Sequence, residues 1–324
     1  MIEKHLATVT VALDGDRFDV AAVALFPALS RKKIKGIIDN GGAYLNKKRV
    51  GIAKNTVKQG DKLELYFEVV SETITDGPQL KFKKSGGIVT FSAADILHSE
   101  ADFLVVNKPA GLASQATLTS SHDCILNAVS LANPQEYPLK NLFLVHRLDK
   151  ETSGLLIIAR NKKSQSFFEE QFRDRKINKI YHALCLGQLK EKLGKVSFAI
   201  GKVQGGANQY YPVMQSGKGP RDAKSAETDY RVIAEHMNNQ VSLVACYPKT
   251  GRTHQIRVHL MALGCPILGD KTYARNVLGH PAAQMALRHM LHAISVSFTD
   301  WNGVNREFNA PLPLDFSNLL TAIS

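Results

Sequence analysis

Cysteine is scarce in this sequence, and no two cysteines lie close enough along the chain to suggest a pair. The four that are present occur singly, without a C-x-x-C pair or a histidine at zinc-finger spacing: Cys124, Cys185, Cys246 and Cys265. This pattern argues against a structural zinc site and against a disulfide framework. It is typical of a reducing compartment, so we expect a cytoplasmic protein without a bound metal.

Long apolar runs and a secretory leader are also lacking. The first residues, "MIEKHLATVTVALDGDRFDV", do not combine a basic region, an apolar core and a small-residue cleavage site. The early apolar run "VAAVALFPAL" contains Pro27 and is far shorter than the roughly 20 residues that cross a bilayer. The chain carries neither a Walker A motif nor a dinucleotide fingerprint, and we therefore expect no membrane association and no nucleotide cofactor.

Acidic residues are outnumbered, with 29 Asp and Glu against 41 Lys and Arg, and the net charge is +12. Such an excess favours an anionic partner. Residues 31–58 hold nine basic residues and one acidic residue. A solvated helix face is the usual explanation of such a run, but these residues span a helix start and a following turn that can converge, so we favour a nucleic-acid phosphate footprint. The candidate contacts are Arg31, Lys32, Lys33, Lys47 and Lys48.

The length of 324 residues favours two domains. In residues 1–70, apolar spacing predicts helices in "RFDVAAVALFPAL" and after Ser30, with strands around "AYLN" and "KLELYFEVV", giving a small α/β domain. Residues 71–92 contain Gly77, Pro78, Gly86 and Gly87 and show little periodicity, so they are interpreted as a linker or an extended connection. Residues 93–324 alternate strand-like runs with fewer helical ones, which predicts an α+β domain with a mixed, largely antiparallel β-sheet and flanking helices.

Asp149 lies in the loop "DKETSG", between the buried strand runs "NLFLVHRL" and "GLLIIAR". A short polar loop between two sheet strands is a rigid platform for a functional side chain. A turn-forming aspartate explains the same pattern, because Asp, Thr, Ser and Gly are common turn residues. The spacing alone favours the turn former.

Two later segments hold further candidates. In "NKIYHALCLG", Lys179 and Tyr181 share one face of a strand, although an ordinary core tyrosine fits that pattern equally well. The segment "KTGRTHQIRVHLMALGCPILGDKTY" predicts a helix with Thr253 as its N-cap. Three basic side chains cluster at the positive end of this helix, which is a natural anion site: Arg252, His254 and Arg257.

His254 and His259 are five positions apart, so they do not share a helix face, and a metal site is not expected there.

Two resemblances follow from these strings. The small domain, through "RFD", "SRKKIKGIIDNGGAYLNKKRV" and "VKQGDKLEL", resembles the alpha-L RNA-binding motif of a small-subunit ribosomal protein and of tyrosyl-tRNA synthetases. The larger domain resembles the RluA-type RNA pseudouridine synthases over about residues 93–315. The strings that carry this resemblance are "HRLDKETSGLLIIAR", "KIYHALCLG", "GRTHQIRVHLMALGCPILGD", "LHAISVSF" and "NAPLP".

The second resemblance implies an enzyme that isomerises uridine in structured RNA to pseudouridine, with no cofactor. The domain architecture favours large-subunit ribosomal RNA over tRNA as the substrate, and we expect a monomer. Asp149 falls on the catalytic aspartate of the family, Tyr181 on the tyrosine that stacks against the target base, and Arg257 on the basic partner of the aspartate. Arg147 matches the arginine that can fill the gap left by the flipped base.

One alternative is a non-catalytic RNA-binding or ribosome-assembly protein on the same fold. Loss of the aspartate, tyrosine or arginine would favour it, and all three are present. A kinase interpretation of "HRLD" fails, because the kinase string is H-R-D and no glycine-rich loop or D-F-G string accompanies it.

Overall fold

The structure is a computed structural model, and it describes residues 2–39, 41–68, 80–84, 87–115, 123–202, 210–213, 222–236, 238 and 240–324. Among these residues, no helix is long and apolar enough to cross a membrane.

The N-terminal part is a four-stranded antiparallel sheet packed against two helices. Its elements are β1 (Ile2–Thr8), α1 (Phe18–Leu25), α2 (Arg31–Asp39), β2 (Ala43–Leu45), β3 (Lys48–Arg49) and β4 (Lys62–Glu68), with the sheet order β1-β4-β2-β3. Both expected helices are confirmed, and Ser30 Oγ accepts a hydrogen bond from the backbone N–H of Lys33 at 3.2 Å, as an N-cap does. Phe18, Ile34 and Leu65 belong to a separate apolar core beneath this sheet.

The segment expected to be a linker differs in part from that expectation. Within it, β5 (Leu80–Lys84) and β6 (Gly87–Phe91) pair as an antiparallel hairpin. Phe82, Val89 and Phe91 are buried in the main core of the molecule. Residues 80–84 and 87–91 therefore form a packed strand pair, which the sequence did not reveal because its short alternation of apolar and lysine residues is interrupted by glycines. Residues 69–79 and 85–86 lie outside the described part of the chain.

The larger part is built on one ten-stranded sheet. The remaining strands are β7 (Ile96–Ser99), β8 (Phe103–Lys108), β9 (Phe143–Leu144), β10 (Ser153–Ala159), β11 (Asn178–Leu186), β12 (Leu193–Val196), β13 (Ala199–Lys202), β14 (Tyr210–Val213), β15 (Thr228–His236), β16 (Val241–Pro248), β17 (Leu291–Thr299) and β18 (Asn305–Asn309). The helices are α3 (Ile125–Ala132), α4 (Lys162–Arg173), α5 (Gln255–Ala262), α6 (Pro281–Met285) and α7 (Leu314–Ile323).

Ten of these twelve strands form the large sheet, in the order β12-β15-β16-β11-β17-β10-β8-β7, with β18 on β17 and β9 on β10, whereas β13 and β14 pair only with each other. Among the described strands of the sheet, β10 and β17 pair in parallel, and all other neighbouring pairs are antiparallel. The prediction of an α+β fold with a mixed, largely antiparallel sheet is confirmed.

Strand β10 lies in the middle of the core and is buried along its whole length. Leu156 and Ile158 face the same core as α3 and α7, whereas Leu155 and Ile157 face the core that includes Phe168 of α4. Because side chains alternate along a strand, burial of both faces produces the unbroken apolar run "GLLIIA". The sheet is thus covered on both sides, and the functional loop described below leaves from the start of β10.

The two sheets meet where α7 approaches β4 and α6 approaches β3. The rings of Tyr44 and Tyr66 lie edge to face at this junction, with centroids 5.5 Å apart, and both belong to the main core. Arg49 is partly buried here, and burial lowers its pKa despite the nearby Tyr44 and Asp315. One of the nine basic residues in 31–58 therefore belongs to the junction instead of the open basic surface.

Candidate active site

The strand expected over "NLFLVHRL" is shorter than predicted. Only Phe143 and Leu144 pair with β10, as the short edge strand β9. The following residues leave the sheet, so Arg147 and Asp149 lie on the connection between β9 and β10. The backbone N–H of Thr152 donates to the carbonyl of Asp149 at 3.0 Å, which closes the turn suggested by the loop sequence.

A buried lysine holds this loop from below. Lys108 is fully buried at the end of β8, and its ammonium donates to the carbonyls of Leu112 at 2.8 Å and Lys150 at 3.2 Å. Ser114 adds a second clamp, since its hydroxyl donates to the carbonyl of Leu148 at 2.7 Å and accepts from the N–H of the same residue at 2.9 Å. The backbone on both sides of Asp149 is therefore fixed by hydrogen bonds.

A buried arginine holds the same loop from the other side. Arg288 donates to the carbonyl of Glu151 at 2.9 Å and to the hydroxyl of Ser153 at 3.0 Å, while Asp315 pairs with its guanidinium at 2.7 Å. Gly154, with φ +111°, lies so close to β17 that a Cβ would be 2.2 Å from the carbonyl oxygen of Ala293. These contacts make the loop a rigid support for Asp149.

Arg257 connects Asp149 to a second carboxylate. Its Nη1 donates to Asp149 Oδ2 at 2.9 Å, while its Nε and Nη2 donate to the two oxygens of Asp270 at 2.7 and 2.9 Å. His254 Nε2 lies 3.8 Å from the same Asp149 oxygen. Burial disfavours the charge of Arg257, but the hydrogen bond and charge of Asp270 outweigh burial and raise the pKa of this arginine above its ordinary value. The guanidinium stays charged beside Asp149.

Asp270 received no role from the sequence, although it stands inside a quoted motif. Its side chain is almost fully buried, and Oδ1 also accepts hydrogen bonds from the N–H groups of Thr272 and Tyr273 at 2.9 and 3.1 Å. The guanidinium carbon of Arg257 lies 5.1 Å from the Tyr273 ring centroid, which is a cation–π distance. The one available signal was a carboxylate following the glycine of "GCPILGD", in the same motif as Arg257.

Tyr181 lines the same pocket from strand β11. Burial raises the pKa of its hydroxyl, and the charge of Asp149 acts in the same direction, so the phenol is neutral. Lys179, two positions earlier, also lines the pocket, and burial lowers its pKa to about 8. Its ammonium lies 5.6 Å from the ring centroid of Phe172, and we find no hydrogen-bond partner for it among the described residues. Lys179 is half-buried, and its ammonium is available to pair with an anion that enters the pocket.

The start of α5 differs from the expected cap. Thr253 was wrong as the N-cap, because the helix starts after His254, whose backbone is left-handed with φ 57°. The side chain of Gln255 shapes the turn instead, accepting from Thr250 Oγ1 at 2.7 Å and from the Arg252 N–H at 3.0 Å. Three basic residues were expected at this helix end, but here they take different partners.

Arg252 donates from Nε to the carbonyl of Ser225 at 3.0 Å, and His254 Nδ1 lies 2.8 Å from the hydroxyl of Tyr273. Burial lowers the pKa of His254, although Asp149 opposes this effect. His259 is fully buried, with its ring nitrogens beside Thr228 and the carbonyl of Phe198. In the described part of the chain, no group of three His, Cys, Asp or Glu side chains could hold a metal ion.

These side chains surround one pocket of about 370 Å³. It brings together six of the residues singled out in the sequence, which are Arg147, Asp149, Tyr181, Arg252, His254 and Arg257. Asp149 is the only carboxylate among the described lining residues. Several cations share the lining with it: Arg147, Arg173, Arg175, Lys179, Lys249, Arg252 and Arg257. The pocket is thus suited to an anionic chain that presents a neutral ring.

The basic candidates of the N-terminal sheet whose side chains the structure describes do not line this pocket. Asn46 and Lys47 both have positive φ, 52° and 63°, and form the two-residue turn between β2 and β3, which leaves Lys47 and Lys48 exposed. Lys33 is exposed, with its ammonium 4.7 Å from the ring centroid of Phe67. Arg31 pairs with Asp19 at 2.9 Å. The side chain of Lys32 lies outside the described part of the structure.

Comparison with known proteins agrees with the motifs and the site. The family model for RNA pseudouridylate synthase matches residues 102–262. "Ribosomal large subunit pseudouridine synthase D" of Nitrosomonas europaea is 31% identical over 321 residues, covering 98% of this chain and 87% of that protein. The protein of the same name in Pseudomonas aeruginosa is 30% identical, with coverage of 99% and 96%.

The solved structure of human RNA pseudouridylate synthase domain containing 4 has a TM-score of 0.58 and 27% identity, covering 71% of this chain and 93% of that one. A second human structure, RNA pseudouridylate synthase domain containing 1, gives a TM-score of 0.55 at 30% identity, over 67% of this chain and 82% of its own. The chain belongs to the RluA-type RNA pseudouridine synthases. The prediction of an enzyme that isomerises uridine in RNA is thereby confirmed, and a non-catalytic binding protein is not favoured.

Proposed function

We propose that this enzyme converts specific uridines of large-subunit ribosomal RNA to pseudouridine, as a cytoplasmic monomer, with Asp149 as its catalytic carboxylate. The observation that carries the proposal is the 2.9 Å contact between Asp149 and Arg257 inside a pocket also lined by Tyr181. The relatives named for the large ribosomal subunit favour ribosomal RNA over tRNA.

The reaction is an isomerisation. The bond between N1 of uracil and C1′ of ribose breaks, the uracil turns, and a bond between C5 and C1′ forms, while C5 loses a proton and N1 gains one. Reactant and product contain the same atoms, so the reaction itself demands no oxidant, nucleotide or metal. Asp149 acts at the sugar, either by attacking C1′ or by removing the 2′ proton, and both routes require an ionised carboxylate. Arg257 Nη1 lies 2.9 Å from Asp149 Oδ2, so a positive charge stands beside this carboxylate.

The target base must leave its stack before it can react, at a cost of a few kcal/mol. Tyr181 recovers part of that cost by stacking on the uracil, since its buried ring lines the pocket beside Asp149. Arg147 is exposed at the mouth of the same pocket, and it fills the space that the base leaves behind.

The N-terminal sheet adds affinity without adding chemistry. Lys33, Lys47 and Lys48 are exposed, and exposed cations bind RNA phosphates largely through the release of counterions. Such contacts position RNA but carry little information about its sequence. Arg252 and the other cations that line the pocket continue this role close to the reacting nucleotide, and the His254 ring can add a hydrogen bond.

The direct test uses purified protein and transcripts that carry tritium at C5 of uridine. Because C5 loses its proton, each turnover releases one tritium into water. We expect release from large-subunit ribosomal RNA, with much less from a tRNA transcript. Release from neither RNA would contradict the proposal, and release from tRNA alone would overturn the proposed substrate. Light scattering should give a molar mass near 35.6 kDa for the monomer.

A further inference from the structure

Strands β13 and β14 form an antiparallel pair outside the large sheet, and β14 lies against helix α5. Ile200 of β13 exchanges two backbone hydrogen bonds of 2.9 Å with Lys224. Ile200 is also buried with Val258 of α5 and Tyr273 in a small apolar core, separate from the main core. Tyr210 of β14 packs against this small core. The strand pair is therefore attached to the helix that forms one wall of the pocket.

Two contacts connect this strand pair to side chains that line the pocket. The ring of Tyr210 lies edge to face with the ring of His254, with centroids 5.4 Å apart, and its backbone N–H donates to the hydroxyl of Tyr273 at 3.0 Å. The carbonyl of Ser225, one residue beyond the bridge to β13, accepts from Arg252 at 3.0 Å. Since His254 and Arg252 line the pocket, the strand pair lies directly beside it.

Tyr211, the next residue of β14, presents its ring to solvent. The residue is 42% exposed, and its ring lies at 82° to that of Tyr273, with centroids 6.4 Å apart. Among the Phe, Tyr and Trp residues whose burial the structure describes, the other exposed one is Trp301, at 38%. Trp301 packs edge to face with Phe103 and Phe167 and does not line the pocket. Tyr211 is thus the exposed aromatic residue beside the pocket.

Exposed lysines accompany Tyr211 on the strand pair. Lys202 lies opposite Tyr210, and Lys224 forms the bridge to Ile200, and both lysines are exposed. Proteins that bind unpaired nucleotides commonly combine cations, which meet the phosphates, with aromatic rings, on which the bases stack. A base inside a helix has neighbours on both of its faces, whereas an unpaired base can offer a face to a protein ring. This surface is therefore suited to an unpaired segment of RNA that continues out of the pocket.

We propose that Tyr211 is a stacking platform for an unpaired base that flanks the target uridine. The proposal rests on the proposed function of the pocket, and it adds a second nucleotide-binding position beside the one for the target. Every base has a π-face, so stacking on a tyrosine ring tolerates any base. The platform therefore selects for an unpaired neighbour of the target and not for a particular sequence.

The test compares Tyr211→Leu with a matched control, Trp301→Leu. Both variants replace an exposed aromatic ring by an apolar side chain without a flat face. The RNA is a stem-loop from large-subunit ribosomal RNA that the wild-type chain turns over, and filter binding gives its Kd. We expect Tyr211→Leu to weaken binding roughly 10-fold, in the range of one base stacked on an aromatic ring. Tyr211→Phe and Trp301→Leu should each change Kd by less than about 2-fold.

The loss should appear mainly in Kd, because Tyr211 does not line the pocket in which the chemistry occurs. The single-turnover rate of tritium release at saturating RNA should therefore change less than Kd does. A Kd for Tyr211→Leu within about 2-fold of the wild-type value would overturn the proposal.

An abasic scan identifies the stacked base. An abasic ribose replaces each unpaired base around the target in turn, and at one position the wild-type chain should lose roughly 10-fold in affinity. At that position Tyr211→Leu should lose little more, because the two changes remove the same contact. Pairing that base with a complement should likewise weaken binding by the wild type more than binding by Tyr211→Leu. Additive losses at every position would contradict stacking.

Salt dependence separates stacking from a phosphate contact. Stacking releases no counterions, so the dependence of log affinity on log salt should have the same slope for Tyr211→Leu and for the wild-type chain. A flatter slope for Tyr211→Leu would show that the tyrosine contacts a phosphate, contrary to the proposal.

If Tyr211→Leu is found to unfold in a thermal melt, Tyr211→Thr serves instead, because threonine favours strands and has no ring. We expect the same loss of affinity from it, and wild-type affinity would count against the proposal. Absence of tritium release by the wild-type protein would count against the proposed function itself, so the two failures are distinguishable.

Discussion

The basic side chains that hold Asp149 and its loop, and the exposed lysines of the N-terminal sheet, are of the same chemical kind but occur in opposite environments. Around Asp149, Arg257, Arg288 and Lys108 are buried, and their N–H groups meet carboxylates or carbonyls at short distances. In the N-terminal sheet, Lys47 lies in the turn between β2 and β3 and Lys48 begins β3, and both are exposed.

The buried charges fix the geometry of the site, whereas the exposed charges contribute to RNA affinity. A buried charge is tolerated only when it is paired and hydrogen-bonded, so its position is fixed to within the tolerance of those bonds. An exposed charge keeps its water and is screened by salt, so it attracts RNA without fixing it. The buried charges thus hold the catalytic residues in position, and the exposed charges attract the RNA.

The largest effect that would separate the two regions is expected from Asp149→Asn. The amide keeps the shape of the side chain but cannot act as an ionised nucleophile or base, so turnover should fall by roughly 10³-fold or more. RNA affinity should stay close to that of the wild-type protein, because other residues contact the RNA phosphates. Tritium release and filter binding measure the two quantities, and an active Asn variant would remove Asp149 from the mechanism.

A matched pair of lysines tests the buried side of the comparison. Lys108→Met leaves buried carbonyls of the Asp149 loop without a donor, and each unsatisfied group costs about 1–3 kcal/mol. Lys33→Met, at an exposed site, should change the free energy of unfolding by less than about 0.5 kcal/mol. Urea titration measures both, and equal losses would contradict the assigned difference in environment.

Titration of Lys179 should make the RNA affinity of the pocket depend on pH. Because burial lowers its pKa to about 8, the ammonium is charged at pH 7 and largely neutral at pH 9. Wild-type RNA affinity should fall over this interval by about 5-fold, equivalent to about 1 kcal/mol for one charged contact, whereas Lys179→Met should bind more weakly at pH 7 and show a flat profile.

The titratable ring of His146 lies near Lys179 but does not change its charge in this interval. Burial and the charge of Lys179 lower the pKa of His146 to about 3, so its ring stays neutral. A Lys179→Met variant that kept the wild-type pH dependence would assign the titration to another group.

The smallest effect is expected from the exposed lysines, and it concerns salt. Replacing Lys47 and Lys48 with Gln should flatten the dependence of log affinity on log salt by roughly 1 per lost phosphate contact. Arg31→Gln should have a smaller effect, because Asp19 already shares its charge. Turnover of a saturated complex should not change, and an unchanged salt slope would remove the N-terminal sheet from the RNA footprint.

Much of the fold and of the site could be predicted from the sequence, because the patterns that specify them are local. Alternation and helical spacing predicted α1, α2, α5 and strands such as β10 and β11, and three motif strings held Asp149, Tyr181 and Arg257. The same local rules missed the β5–β6 hairpin, whose burial depends on the main core.

The residues that support Asp149 and Arg257 could not be predicted from the sequence, since each contacts a partner distant in the chain. Nothing in the sequence around Lys108 or Arg288 distinguishes a buried cation from a surface one, and both meet the Asp149 loop only after the sheet has formed. Asp270 stands in a quoted motif, but its grip on Arg257 requires the turn that follows α5. Thr253 was predicted to cap α5, but the helix starts after His254, and the side chain of Gln255 accepts the hydrogen bond that shapes the turn.

Pseudouridine mapping of large-subunit ribosomal RNA in cells lacking the gene tests the central claim most directly. Cells would be complemented with the wild-type chain or with Asp149→Asn. We expect at least one pseudouridine to be lost on deletion, restored by the wild-type chain and not by Asp149→Asn. Retention of every site after deletion, or restoration by Asp149→Asn, would contradict the account.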